Sequence, residues 1–334
     1  MITSIAANNE SSIKPVYRNT TIDLLRIFAC FGVVVIHVKA TTISAENMGQ
    51  FFLLFCVPFF YSAALVYFVN SLNEDQELKK VFSKIFKRIV VPFISWSVIY
   101  LALLLVKKYL QNEDMTFNVA RVFLYGESAE HIYYLPQLIC LQIIALSVFL
   151  LTRGVKVDIA VILFSLAILY LVSGHFFGCF GITSTEAIIS YLTLAFFIST
   201  KILFKQTNIL YAVAGITLIG IIVYWKFFNP PSIEYLDAIP LGGLGLILLT
   251  LNIPGVRLPR SVASLAAATY GIYLSHVVFI EAFEFLLERL HYSINYNWTI
   301  KLGMAILVFG ISTIFTLLIK KNPLGRSLLL GERR

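Results

Sequence analysis

The apolar residues of this chain fall in long blocks, each close to the roughly 20 residues that an α-helix needs to cross the hydrocarbon core of a bilayer. Of its 334 residues, 59% are hydrophobic and only 13% are charged. A soluble domain is about half apolar and about a quarter charged. The sequence therefore predicts an all-α, polytopic bundle of transmembrane helices, with little length left for a separate soluble domain.

Polar segments between the apolar blocks define ten candidate spans. The first 19 residues are polar and no small-residue cleavage pattern follows the first apolar run, so we interpret that run as a retained span rather than a signal peptide. We divide the chain into an N-terminal tail (1–20), a transmembrane domain (21–320) and a basic C-terminal tail (321–334). The predicted spans are 21–40, 50–72, 89–107, 131–152, 157–173, 186–200, 208–228, 233–252, 262–288 and 298–320.

The distribution of Lys and Arg predicts the orientation of these spans. With both termini in the cytoplasm, the cytoplasmic segments hold 18 of the 26 basic residues and the opposite side holds seven, while Arg26 lies within the first span. This asymmetry follows the positive-inside rule. The same rule accounts for the net charge of +8 without a nucleic-acid partner.

The first span, TTIDLLRIFACFGVVVIHVKA (20–40), carries three side chains that are costly in hydrocarbon: Asp23, Arg26 and His37. At about 100° per residue, Arg26 and His37 share one helix face and lie roughly 16 Å apart along the axis. Asp23 precedes Arg26 by about one turn on the same face. In the predicted orientation, Arg26 is near the cytoplasmic boundary and His37 is in the outer half of the bilayer.

These three residues have different alternative explanations. Asp23 and Arg26 are equally well explained as an interfacial ion pair, with Arg26 extending to the lipid headgroups. His37 is too deep for that, and an ionisable residue inside the membrane is a functional candidate. Because imidazole titrates near neutral pH, His37 suits the role of a general base. A structural, hydrogen-bonded histidine is the other interpretation.

The same residues resemble the opening helix of membrane acyltransferase family 3, whose members O-acylate bacterial surface polysaccharides and lipids. In that family an Asp shortly precedes an Arg or Lys, and a His follows after ten residues, as in this chain. Four later segments resemble the family in the same order: CVPFFYSAALVYF (56–68), SKIFKRIVVPFISW (83–96), EHIYYLPQLICLQII (130–144) and YGIYLSHVVFIEAF (270–283). The departures are Ala63 for the usual Gly, Lys84 and Lys87 for an Arg-x-x-Arg pair, and Tyr133 for Trp.

The resemblance implies an enzyme, an acetyl-CoA-dependent O-acetyltransferase of the bacterial inner membrane. Its layout is similar to the enterobacterial common antigen O-acetyltransferase type. The co-substrate would be acetyl-CoA or another acyl-CoA from the cytoplasm, with no permanently bound cofactor. The acceptor would be a hydroxyl of a surface polysaccharide or a lipid-linked sugar at the outer face.

The resemblance also suggests roles for individual residues. Asp23, Arg26 and His37 form the predicted catalytic set, and Arg26 would also meet the acyl donor. Basic side chains at the inner surface would attract the phosphates of CoA, although such loops are basic for topology alone; these are Lys84, Lys87 and Arg88. The predicted acceptor-binding residues are His131, Tyr134, Tyr273 and His276.

Other chemistry at these residues has less support. A zinc site of His37, His131 and His276 is disfavoured, because the sequence has no i, i+4 ligand pair and we expect the three residues to differ in depth. His276 follows Tyr273 on one helix face and fits either a second acid–base group or a core hydrogen bond. There is no G-x-S-x-G motif, and we expect Cys30 to be buried and inert, so direct transfer is the simpler mechanism.

The alternative function is a secondary transporter or a small-molecule uptake module. A transporter also carries buried ionisable residues, and its helices are often broken near the substrate. Against this, we find no convincing inverted repeat. The Gly-rich stretch PLGGLGL (240–246) has no counterpart in the first half of the chain.

Overall fold

The structure, a computed structural model, describes residues 20–72, 77–112, 117–152, 191–192, 195, 209–228, 233–251, 253 and 258–332. All regular elements in these ranges are helical, including short π-helical segments at Phe86–Val90 and Arg121–Tyr125. The α-helices are α1 (Thr20–His37), α2 (Ile43–Leu53), α3 (Cys56–Asn70), α4 (Leu78–Ile85), α5 (Val91–Gln111), α6 (Tyr134–Thr152), α7 (Ile209–Phe228), α8 (Ile233–Leu251), α9 (Arg260–Arg289), α10 (Trp298–Lys321) and α11 (Pro323–Leu330).

Seven helical stretches in the described part are long and apolar enough to cross a membrane: Thr20–His37, Ile43–Asn70, Leu78–Gln111, Tyr134–Leu151, Ile209–Phe228, Arg260–Arg289 and Trp298–Lys321. Each coincides with a predicted span, and α8 falls on the eighth. Predicted spans 157–173 and 186–200 lie outside the described residues, apart from Tyr191, Leu192 and Ala195. The prediction of an all-α, polytopic membrane protein is confirmed.

Two predicted boundaries differ from the observed ones because a helix extends beyond its apolar run. The second span begins with α2, whose first turn is capped by the Thr42 hydroxyl accepting from the Ala45 amide at 3.4 Å. The third begins with α4, where Val81 and Ile85 are buried one turn apart while Lys79 and Lys80 face outward. Amphipathic turns such as these are too polar to register as membrane spans.

The first helix lies at the centre of the bundle, packed against α2, α3, α9 and α10. Its residues Cys30 and Val34 are fully buried. Apolar side chains on the outer faces of α5, α7 and α10 are exposed instead, among them Leu103, Val213 and Ile314. A surface of this kind suits contact with lipid rather than water.

Glycines allow α8 to pack closely against two neighbours. Gly243 faces the backbone of Pro58 on α3, and Gly245 and Gly215 face one another between α8 and α7. Small residues at helix crossings are the usual means of close approach in membrane bundles. The Gly-rich stretch 240–246 therefore belongs to a continuous helix, not to a broken one.

The C-terminal helix α11 docks onto the start of α5. The side chain of Asn322 caps α11 by accepting from the amide of Leu324 at 2.9 Å, and the Trp96 indole donates to the carbonyl of Leu329 at 3.0 Å. Beyond the helix, Gly331 has φ +62°, and a Cβ there would stand 2.6 Å from the carbonyl oxygen of Lys87. The end of the chain thus lies against the basic segment that precedes α5.

Candidate active site

Three histidine rings meet at the end of α1. His37 comes from α1, His131 from the loop before α6, and His276 from α9. The ring centroids are 5.2 Å apart for His37 and His276, 5.8 Å for His37 and His131, and 4.8 Å for His131 and His276. We call this group the histidine cluster. The expectation that the three residues differ in depth was wrong, because the loop before α6 turns inward and buries His131.

The inward turn of that loop depends on two features. Gly126 has φ +74°, and a Cβ there would lie 2.8 Å from the backbone of Ile132 and Tyr133, so only glycine fits this turn without strain. The hydroxyl of Tyr273 donates to the carbonyl oxygen of His131 and ties the loop to α9. These contacts set the position of the His131 ring.

Backbone carbonyls determine which nitrogens of the two buried rings carry protons. His276 Nδ1 lies 2.6 Å from the Tyr273 carbonyl oxygen, and His131 Nε2 lies 3.4 Å from that of Leu274. A carbonyl can only accept, so the facing nitrogens must donate. His276 Nε2 and His131 Nδ1 then keep their lone pairs, and both are buried without a hydrogen-bond partner in the described part of the chain.

His37 is the accessible member of the cluster. Its side chain is 17% exposed, whereas His131 and His276 are buried. Its Nδ1 lies 3.8 Å from Oε2 of Glu130, a residue of the same loop whose own side chain is exposed. The interaction with the nearby His37 lowers the pKa of Glu130, so this side chain is a carboxylate at neutral pH.

A row of tyrosines leads away from the histidine cluster. Tyr273 packs on His131 at 5.4 Å and on Tyr134 at 5.4 Å between ring centroids, and Tyr134 packs on Tyr61 at 4.4 Å. Tyr191 lies beyond, 5.1 Å from Tyr61. The structure therefore brings all four predicted acceptor-binding residues together, since His276 also packs on His131 in the histidine cluster.

Arg26 and Asp23 lie near the opposite end of α1. Arg26 Nη1 is 3.9 Å from Asp23 Oδ1, and the Arg26 side chain is 37% exposed while that of Asp23 is nearly buried. On the stripe between Arg26 and His37, Cys30 is fully buried and its thiol donates to the Thr269 carbonyl at 3.3 Å. The burial predicted for Cys30 is confirmed.

The predicted donor-binding residues lie at this same end of the bundle. Lys84 donates to the Ser71 hydroxyl at 3.3 Å, the side chains of Lys87 and Arg88 are exposed, and the Arg88 carbonyl accepts from the Tyr270 hydroxyl at 3.2 Å. The segment that carries Lys87 and Arg88 packs against α9 and against the C-terminal segment.

Sequence reasoning missed the contribution of the C-terminal segment to this basic surface. Lys320 and Arg326 pair with Glu332 at 2.8 and 3.7 Å, and Glu332 directly follows the Gly331 that abuts Lys87. They border an open cavity of about 620 Å³ lined by Lys320, Lys321, Asn322, Pro323, Leu324 and Arg326. Glu130 was likewise missed, because no residue pattern links it to His37.

Within the part of the chain that the structure describes, no group of three or more His, Cys, Asp or Glu side chains has a geometry that could hold a metal ion. His291 lies in an exposed loop with φ +56°. His175 and Cys179 fall outside the described residues.

The fold and these residues together define a polytopic helical membrane protein with a histidine cluster at one end and a basic surface at the other. The model of acyltransferase family 3, described as an acyltransferase domain, matches residues 19–319. The chain therefore belongs to this family and is a membrane acyltransferase, as its motifs indicated. No curated protein and no solved structure gave a match, so the likeness to the enterobacterial common antigen type stays a prediction.

Proposed function

We propose that the protein is an O-acyltransferase that moves an acyl group, in the first instance acetyl, from cytoplasmic acyl-CoA to a hydroxyl of a glycan or lipid-linked sugar. His37 acts as the general base. The observation that carries the proposal is the histidine cluster, in which one ring is accessible while its two neighbours are buried and oriented by hydrogen bonds to backbone carbonyls.

The chemical step needs one base. His37 takes the proton of the acceptor hydroxyl as its oxygen attacks the thioester carbonyl of acyl-CoA. A carbon–oxygen bond forms and the carbon–sulfur bond breaks. The leaving thiolate of CoA recovers the proton from the imidazolium, so His37 ends neutral. Proton transfer of this kind contributes about 10²- to 10⁴-fold to a rate.

The buried rings bind rather than react. The unpaired lone pairs of His131 Nδ1 and His276 Nε2 are suited to accept from hydroxyls of the acceptor or from water. Tyr134 and Tyr273 provide aromatic faces beside them on which a sugar ring can pack. Buried polar atoms without partners are costly, so filling these positions favours binding of a hydroxylated ligand.

The donor enters from the basic end. Lys84, Lys87 and Arg88 attract the CoA phosphates, and Arg26 meets the pantetheine arm. The pantetheine arm then spans the bundle from Arg26 to His37, which lie near opposite ends of α1.

The positive-inside distribution supports the orientation that this scheme requires, with both chain termini and the basic end in the cytoplasm and the histidine cluster at the outer face. A bacterial inner membrane and a surface-glycan acceptor of the enterobacterial common antigen type belong to the same proposal. The transporter alternative gains no support from α8, since its Gly-rich stretch is part of an unbroken helix.

The test uses purified protein in nanodiscs with radiolabelled acetyl-CoA and a panel of lipid-linked glycans. We expect wild-type protein to label an acceptor and His37→Asn to lose at least about 100-fold in rate. His291→Asn is the matched control, because Asn tolerates the positive φ of that exposed loop position. Absence of both transfer and CoA release would argue for a transporter, and full activity of His37→Asn would disprove the general-base role.

A further inference from the structure

Glu130 is the carboxylate that the tertiary structure brings to His37. The two residues lie on different elements, one in the loop before α6 and the other at the end of α1, and their side chains approach to 3.8 Å between Glu130 Oε2 and His37 Nδ1. The next acidic residue of the loop, Glu127, pairs instead with Arg121 at 3.5 Å. Of these two described acidic residues, Glu130 is the one that lies near His37.

We propose that Glu130 is a positioning residue for the general base. A carboxylate can only accept, so its approach to Nδ1 favours the tautomer in which Nδ1 carries the proton. The lone pair of His37 is then on Nε2, the nitrogen that receives the acceptor proton. The carboxylate also stabilises the imidazolium formed during transfer, as the acid of a carboxylate–histidine pair does in other enzymes.

The surroundings of His37 leave this role to Glu130. From α9 and from the loop, His276 and His131 face His37 as buried rings oriented by carbonyls. The nearby cation Lys39 is paired with Glu284 at 2.9 Å and lies 3.9 Å from Glu288. These carboxylates of α9 are thus engaged by Lys39, while that of Glu130 reaches the imidazole.

The side chain of Glu130 is 91% exposed, so we expect its direct electrostatic contribution to be small. Exposed ion pairs are weakened by water and contribute little by themselves. The role of Glu130 is accordingly to orient His37, and its carboxylate interacts more strongly once an acceptor covers it and excludes water.

The proposal rests on the proposed function, so its experiment has one measurement that needs no turnover. Protein with ¹⁵N-labelled histidine is studied in nanodiscs, and the His37 signal is identified by its loss in His37→Asn. We expect wild type to show the Nδ1-protonated form, and Glu130→Gln to gain the Nε2-protonated form. An unchanged His37 signal in Glu130→Gln would overturn the positioning role.

The second measurement is a double-mutant cycle on acyl transfer. Glu130→Gln is expected to lower kcat roughly tenfold with an unchanged KM for acetyl-CoA, and Glu130→Asp to restore part of the loss. The same change in a His37→Asn background should have no further effect, because the partner is already missing. Glu127→Gln is the matched control and should retain wild-type kcat. An equal loss from Glu130→Gln in both backgrounds would contradict the proposal while leaving the acyltransferase function intact.

Discussion

The ring of His276 on α9 lies with its centroid 5.2 Å from the ring of His37 on α1. His131 joins them from a loop, and backbone carbonyls fix which nitrogen of His131 and of His276 donates. A single accessible imidazole next to two buried rings suits proton abstraction from a hydroxyl, because the nearby cation Lys39 is paired with Glu284 and opposes the charge that His37 gains only weakly.

Tyr273→Phe tests the tie between α9 and the loop. The substitution keeps the ring but removes the hydroxyl that donates to the His131 carbonyl. We expect the free energy of unfolding to fall by about 1 kcal/mol or somewhat more, because a buried acceptor loses its partner, and acyl transfer to fall as His131 moves. Thermal unfolding in detergent measures the change in stability, and a transfer assay measures the change in activity. Tyr292→Phe, at an exposed loop position, should change neither.

Gly126→Ala tests the turn that directs the loop inward. At φ +74° a Cβ would lie 2.8 Å from backbone atoms of Ile132 and Tyr133, so the loop must shift. We expect a loss of about 1–2 kcal/mol in stability and a marked loss of transfer with an unchanged KM for acetyl-CoA. Gly220→Ala is the control, since α7 has open space there and alanine is the better helix former. Equal behaviour of the two variants would contradict this role for Gly126.

Cys30→Ala distinguishes direct transfer from an acyl-enzyme mechanism. The thiol is fully buried and donates to the Thr269 carbonyl, and a buried thiol in apolar surroundings is a poor nucleophile. We expect the variant to keep transfer within about tenfold of wild type, with a stability cost of about 1 kcal/mol from lost packing. Mass spectrometry of protein quenched during turnover should find no acetyl group on Cys30. Complete loss of transfer in a folded variant would refute direct transfer.

The basic surface before α5 is tested by the affinity for CoA phosphates. Replacing Lys87 and Arg88 together by Gln should raise the KM for acetyl-CoA roughly tenfold, while kcat changes little, because charge-assisted hydrogen bonds to phosphate are lost. The effect should shrink in high salt. Replacing Lys79 and Lys80 by Gln is the matched control, as Lys80 pairs with Glu77 at 3.4 Å within the same segment. An equal rise of the KM for acetyl-CoA in both double variants would indicate only a general attraction of CoA to positive charge, and no specific role for Lys87 and Arg88.

The pair of Lys39 and Glu284 predicts a dependence of stability on alkaline pH. The hydrogen bond that Lys39 donates to Glu284 raises the pKa of Lys39 above the ordinary 10.5. The stabilisation is therefore fully present below the pKa of Lys39 in the unfolded chain and is lost as the pH rises through the higher folded value. Because Lys39 is half exposed, we expect at most about 1 kcal/mol. Unfolding of wild type and Lys39→Met should converge at high pH, and a constant difference would contradict the prediction.

Much of the fold could be predicted from the sequence because membrane spans are encoded locally. A run of roughly 20 apolar residues specifies a spanning helix whatever its neighbours are. The motif of Asp23, Arg26 and His37 was visible for the same reason, since all three lie on one helix face. The helical extensions at α2 and α4 were missed because their turns are amphipathic and fall below the hydropathy of a span.

By itself, then, the sequence determined the class of protein, the approximate spans, the family and the stripe of α1. Only the tertiary structure decided that His131 and His276 lie beside His37, that Glu130 reaches Nδ1 of His37, and that Lys320 and Arg326 join the basic end. These relationships depend on an inward loop turn at Gly126 and on the docking of α11. Such contacts join residues far apart in the chain, and no local pattern of residues encodes them.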